Sequence, residues 1–347
     1  MAAYHDQANA QNILKLRELQ KELPLFVGEF FRSLNDQTLP LTRLGYAYDL
    51  KIFFGFLSEE VFDGTPVTAI SIAQMAQIES ENIEEFMEYL SYYIPKGEVD
   101  TAHQNKALGK SRKLAAVRGL FRHLYMKKKI SANPAELVSF PKITQKAITT
   151  LEVNEIAKLL DQVDSGASLT PRQKQYHELT KLRDAAIITM LLGTGMRVSE
   201  CVGLDITDID FDVNGLRVVR KGGDEMVLYF GDEVEAALKA YLASRMETHA
   251  IEGHENALFL SLQNRRITDR AIQNLVKKYS SLITSLKNIS PHKLRSTFGT
   301  QLYAETGDIY LVANVLGHAD VNTTRKHYAK MDDTYRRRAA NAVRLRD

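Results

Sequence analysis

Apolar residues recur at helical spacing between Leu294 and Leu316, and a proline before them and a glycine after them mark where helix can begin and end. Ser290-Pro291 suits a helix start, with Ser as N-cap and Pro at the first helical position. Leu294, Phe298 and Leu302 follow four apart and predict one buried stripe. A second apolar run, Ile309, Val312, Val315 and Leu316, predicts another helix ended by Gly317. Polar residues fall at defined places on this frame. His292 and Arg295 form an i, i+3 pair on one face. His318 sits where the second helix stops, and Tyr328 lies ten residues further on, in a segment with Arg325, Lys326 and His327.

A guanidinium, two imidazoles and a phenol point to work on an anion. Arginine matches phosphate oxygens through paired hydrogen bonds. Histidine moves protons near neutral pH. Tyrosine serves as a covalent nucleophile, but its free pKa of about 10 means that it needs cationic neighbours and a proton acceptor. Taken singly, a histidine near an apolar helix or a tyrosine near a C-terminus is ordinarily packing. The full ordered string is what separates this stretch from packing.

That string resembles the tyrosine recombinase (phage integrase) family. The family pattern is H-x-x-R, later L-G-H, then a tyrosine about ten residues on. Here it stands as His292/Arg295, Leu316-Gly317-His318 and Tyr328. An earlier family arginine, in L-L-x-T-G-x-R-x-S-E, matches Leu191 to Glu200 and places Arg197. A family lysine on a β-hairpin corresponds to Lys221 in R-K-G-G-D-E, although Asp224 and Glu225 stand where the family often has basic residues. The position after the H-x-x-R arginine, often histidine in the family, is Ser296. The likeness is close over about residues 150–347 and looser before them.

The resemblance implies a two-domain fold. An all-α N-terminal core-binding (SAM-like) domain and a mainly α catalytic domain with a small β-sheet or hairpin form a C-shaped clamp around double-stranded DNA. It implies site-specific strand exchange. Tyr328 attacks a scissile phosphate and forms a 3′-phosphotyrosyl bond, and Arg197 and Arg295 stabilise the transition state. Lys221 protonates the leaving oxygen, His292 assists proton transfer, and His318 binds a phosphate oxygen. The bond energy stays in the linkage, so neither metal nor ATP is required, in keeping with a sequence that has no P-loop. A homotetramer on two DNA sites is implied, with or without an accessory protein. No further arm-binding domain is evident before the first helices, which leans towards a Xer-like recombinase resolving chromosome dimers. A phage or transposon integrase, a type IB topoisomerase, a non-catalytic DNA-binding protein and a metal-dependent nuclease are the competing readings. The complete residue set argues against the third, and the lack of Asp/Glu/His ligand spacing against the last.

The rest of the chain fits two domains. We expect an N-terminal helical domain over residues 1–130, a linker over 131–149 containing two prolines, and a catalytic domain over 150–347 with a basic terminal helix at 334–346. Helices are expected at 11–34 with a break at Pro24, at 42–57, at 83–92, from a capping-box-like start at 150–153 through Leu160, at 182–192, at 232–246 and at 265–282. Residues 164–177 read as a polar loop. Strands are expected at 209–211, 216–219, 226–230 and 257–261.

Charge distribution says more than the net charge of +2. Residues 101–130 hold nine Lys/Arg and no Asp or Glu. Leu114, Val117, Phe121 and Leu124 give this segment an apolar face, leaving the other cationic. Charged helices normally mix signs, so the bias favours a polyanion, with Lys106, Lys110, Arg112, Lys113, Arg118 and Arg122 as candidate DNA contacts. The single cysteine, Cys201, excludes an internal disulfide and reads as a small buried residue. No apolar run reaches the ~18–20 residues of a membrane span, and no signal peptide is evident, so a cytoplasmic protein is expected.

Overall fold

The computed structural model describes residues 2–94, 101–144, 149–220, 223–318, 320–322 and 324. Lys221, Tyr328, the turn expected at 95–97 and the helix expected at 334–346 lie outside these residues. The chain divides into two compact units, Ala3–Gln145 and Lys146–Asp347, with Met1–Ala2 grouped with the second.

The described part of the N-terminal unit is helical: α1 (Ala2–Gln20), α2 (Val27–Ser33), α3 (Pro40–Phe56), α4 (Ile72–Met75), α5 (Ser80–Tyr89) and α6 (Ala107–Met126). Pro24 separates the first two, as a residue without an N–H must in a helix interior. Leu50, Phe53 and Phe54 of α3, Ile83 and Phe86 of α5, and Leu114, Val117 and Phe121 of α6 are fully buried in one core. Edge-on rings knit it together, with the Phe53 centroid 5.0 Å from Phe86 and 6.2 Å from Phe121. The unit runs on past residue 130. Ala135 and Val138 are buried in the same core, and Arg118 holds that stretch by donating to Ala135 O at 3.0 Å and Val138 O at 2.5 Å. Part of the expected linker is therefore body, because aperiodic chain can still be packed when a side chain takes up its carbonyls.

The second unit comprises α7 (Val153–Ser165), α8 (Pro171–Thr194), α9 (Val198–Gly203), strands β1 (Ile209–Asp210), β2 (Gly215–Val219) and β3 (Glu225–Tyr229), then α10 (Asp232–Glu247), α11 (Asp269–Ile283), α12 (Pro291–Thr306) and α13 (Ile309–Leu316). The strands form one antiparallel sheet in the order β1-β2-β3, with Leu216 opposite Leu228 and Val218 opposite Met226. α8 is central, and its segment Ala186–Leu191 is buried nearly all round. It packs on α7, α10 and α12. Cys201 is fully buried in α9, and burial raises its thiol pKa.

Two expectations are corrected here. The polar stretch 164–177 is not all loop, because α8 starts at Pro171. Thr170 caps it and exchanges hydrogen bonds with Gln173, the same Thr/Ser-Pro signal that marks α12. The apolar run 257–261 forms no strand, only isolated bridges at Asp205–Ala257 and Leu260–Arg266. Side chains occupy the backbone groups that a neighbouring strand would use: Arg245 Nε donates to Ala257 O at 3.0 Å and Tyr241 Oη to Leu258 O at 3.0 Å. Among the described residues no helix is long and apolar enough to cross a membrane.

Candidate active site

Three guanidiniums meet at the C-terminal end of α13. A helix leaves its last carbonyls without intrahelical donors, and that end carries partial negative charge. In this chain arginines take those carbonyls. Arg220 Nη2 donates to Val315 O at 2.8 Å, Arg197 Nη2 to Gly317 O at 3.2 Å, and Arg295 Nη2 to Leu316 O. Arg295 also donates from Nη1 to Gly195 O at 2.6 Å and is only 4% exposed. Side chains from α9, β2 and α12 are thus brought to three consecutive residues.

Local sequence explains each placement. Gly195 ends α8 in the left-handed region at φ 63°, and a Cβ there would collide with Phe298 of α12. The chain then turns so that Arg197 caps α9. Glu200 fixes Arg197 twice: Oε2 accepts from the Arg197 backbone N–H and Oε1 from Nη1, each at 2.7 Å. Glu200 is 2% exposed, so this ion pair is sheltered. Pro291 opens α12, and three residues after His292 comes Arg295 on the buried side, while His292 is exposed. Asp308 caps α13, accepting from Tyr310 N and Leu311 N at 2.8 and 3.0 Å.

Gly317 closes α13 in a Schellman turn. Its own N–H reaches Asn314 O and the His318 N–H reaches Ala313 O, both at 2.9 Å. That turn sets where His318 leaves the helix. Its Nδ1 lies 2.7 Å from Oγ1 of the fully buried Thr324. The Gly317 φ of 59° favours glycine. Burial lowers the Arg220 pKa from its ordinary value; Glu200 opposes the shift and Arg197 adds to it.

Of the six residues expected to act, the structure brings Arg197, Arg295 and His318 together and sets His292 one turn before Arg295; Lys221 and Tyr328 are outside the described residues. Sequence reasoning passed over Glu200, Thr324 and Arg220. The i, i+3 spacing of Arg197 and Glu200 was a usable signal. Nothing in sequence order marks the other two, since each is defined by a contact across the fold.

The cationic segment is less uniform than its sequence. Lys113 is 5% exposed and donates to Asn105 Oδ1 at 2.9 Å, with the Asp49 carboxylate 3.8 Å away. Arg112 pairs with Asp49 at 2.6 Å, and Lys129 with Glu29 at 2.6 Å. Arg118 spends its donors on residues 135–138 and stacks 4.3 Å from the Phe140 ring centroid. Lys110 reaches Ser91 Oγ at 2.7 Å. Lys106 and Arg122 are exposed.

Known proteins resemble this chain in sequence and in fold. A model of the phage integrase family matches residues 149–334. The chain is 34% identical over 310 residues to tyrosine recombinase XerC of Caldanaerobacter subterraneus subsp. tengcongensis, covering 87% of this chain and 81% of that protein. It is 32% identical over 288 residues to tyrosine recombinase XerC of Pelobacter propionicus, covering 83% and 84%. Among solved structures it resembles in fold the Tn1549 transposon integrase in complex with transposon right end DNA, with a TM-score of 0.64 at 18% identity over 90% of this chain and 98% of that one. It also resembles in fold the XerH site-specific recombinase bound to palindromic difH substrate, with a TM-score of 0.60 at 23% identity over 87% and 80%.

Proposed function

The chain belongs to the phage integrase family and is a tyrosine-type site-specific DNA recombinase; from that premise we propose that Tyr328 cuts one DNA strand by attacking a phosphate held by Arg197, Arg295 and His318. The observation that carries this reading is the convergence of those three side chains, from separate parts of the chain, on residues 316–318. Carbonyl oxygens fix the planes of both guanidiniums before any substrate arrives, so little reorganisation is needed as charge develops on the phosphate. The Tyr328 oxygen forms a bond to phosphorus as the bond to the 5′ oxygen breaks. His292 takes the phenolic proton and Lys221 gives one to the leaving 5′ oxygen. The product is a 3′-phosphotyrosyl bond and a free 5′-hydroxyl. Attack by the 5′-hydroxyl of a second strand reverses the chemistry and exchanges the partners.

The curated relatives named above are XerC recombinases, which supports a role in resolving chromosome dimers in the cytoplasm during chromosome segregation. Exchange of both strand pairs calls for a homotetramer on two DNA sites. Lys106, Lys110, Arg112 and Arg122 supply backbone contacts that position the duplex without reading its sequence. Arg118 and Lys113, spent on the protein itself, contribute less.

Covalent trapping tests the reading. On a nicked suicide DNA carrying the recombination site, the wild-type chain is expected to give a slow-migrating protein–DNA adduct on a denaturing gel, and Tyr328→Phe none. An adduct that persists in Tyr328→Phe would assign the nucleophile elsewhere.

A further inference from the structure

Thr324 is fully buried, and its hydroxyl oxygen lies 2.7 Å from Nδ1 of His318. Among the described residues that nitrogen is the hydroxyl's only hydrogen-bond partner. Threonines on the helices of the same unit spend theirs otherwise. Thr194 donates to Met190 O at 2.7 Å, Thr297 to Lys293 O at 2.9 Å and Thr306 to Leu302 O at 2.7 Å. Each bonds the carbonyl four residues back, the ordinary local partner of a helical threonine. Thr324 is helical too, yet its hydroxyl passes over the carbonyl of Asp320 and meets the imidazole six residues before it.

The direction of this bond follows from its hydrogens. A threonine hydroxyl has one hydrogen to give, and burying it without an acceptor is costly. With Nδ1 its only partner among the described residues, the hydroxyl donates and Nδ1 accepts. A ring nitrogen that accepts carries no hydrogen, so the imidazole is neutral and its single N–H is at Nε2. The backbone on either side is tied down. The His318 N–H reaches Ala313 O at 2.9 Å in the turn that closes α13, and Asp320 Oδ1 accepts from the Asn322 N–H at 2.9 Å. Arg197 and Arg295 already bring positive charge to residues 316 and 317, so a neutral donor at 318 suffices.

We propose that Thr324 is a positioning residue for His318: its hydroxyl donates to Nδ1, holds the imidazole as the Nε2–H tautomer, and so presents Nε2 as a hydrogen-bond donor to the reacting phosphate. The proposal rests on the recombinase reading given above. Thr324 acts through His318 and not on the phosphate itself. Without the hydroxyl, the hydrogen is free to sit on Nδ1, and Nε2 would then turn a lone pair towards an anion. Thr324 also stands four residues before Tyr328 in sequence, so the bond joins the stretch that leads to the nucleophile to the end of α13.

The test joins a spectrum to a rate. In the full chain labelled with ring-¹⁵N histidine, the His318 signals are those that vanish in His318→Gln. Wild type and Thr324→Ser are expected to show a bare Nδ1 and a protonated Nε2, and Thr324→Val, of the same shape but without the hydroxyl, to lose that preference. In single-turnover adduct formation on suicide DNA, Thr324→Val should be about tenfold slower and Thr324→Ser close to wild type. Placed in His318→Gln, Thr324→Val should cost nothing further, because the residue it acts through is gone. A wild-type spectrum with Nδ1 protonated, a wild-type rate in Thr324→Val, or an equal loss in the His318→Gln background would each overturn the proposal. Should Thr324→Val fail to fold, the wild-type spectrum and the serine variant still decide. If wild type forms no adduct, the recombinase reading fails, and the bond from Thr324 to Nδ1 is upheld or overturned by the spectrum alone.

Discussion

At Gly317 a left-handed residue governs both the helix stop and the point where His318 leaves it. Gly317→Ala puts an L side chain at φ 59°, which costs about 1–2 kcal/mol by itself. We expect this variant to lose about tenfold or more in adduct formation while losing only modest melting temperature; an unchanged rate would show that the turn does not set His318. Asp49 is the matching case in the N-terminal unit. Its side chain is fully buried, and burial pushes its carboxyl up to about 6 against the opposing pull of Arg112 and Lys113. The free carboxyl titrates near ~3.9, so the folded chain holds this proton more tightly than the unfolded chain does. The resulting stabilisation is complete below the unfolded value and is lost as pH rises through about 6. Lowering pH from about 7 to about 5 should therefore stabilise wild type relative to Asp49→Asn by about 1 kcal/mol, measured by urea unfolding of both proteins at each pH. Parallel pH profiles would refute the shift.

Helix α6 shows how far an element departs from its own charge count. Its sequence neighbourhood holds nine cations and no acid, yet acids distant in sequence, Asp49 and Glu29, neutralise part of it. The residues still facing outward make a sharper prediction than the segment did as a whole. Lys106→Ala or Arg122→Ala should each weaken DNA binding on all sequences alike and reduce the log–log salt slope by about 1, measured by fluorescence anisotropy across salt concentrations. Lys113→Ala should instead act on stability, because it leaves the Asp49 carboxylate without its buried neighbour. A salt slope changed by Lys113 but not by Arg122 would reverse this assignment. Helices form where apolar period predicts them at α3, α12 and α13, but of the stripe expected on α12 only Leu294 is fully buried, Phe298 and Leu302 being half-buried against α13. Period failed at 257–261, where a short apolar run is equally compatible with strand and with packed coil.

At the scale of the whole molecule, the proposed exchange needs more than one chain. Mass photometry of Tyr328→Phe with DNA bearing two sites is expected to show four chains per synapse; complexes that never exceed one chain per DNA would leave cleavage without exchange. Within one chain, the sequence by itself determined the chemistry and its order. His292, Arg295 and His318 could be placed because H-x-x-R and L-G-H sit at helix positions announced by Pro291 and Gly317, and Arg197 because Gly195 ends the helix before it; such signals depend on neighbours a turn away. Only the tertiary structure decided which cations are spent and which are poised. Lys113 and Arg118 are spent on the N-terminal unit, while Lys106 and Arg122 stay exposed. The reason is physical: a hydrogen-bond partner is chosen by distance in space, and residues 220 and 315 become neighbours only when the sheet and α13 have packed.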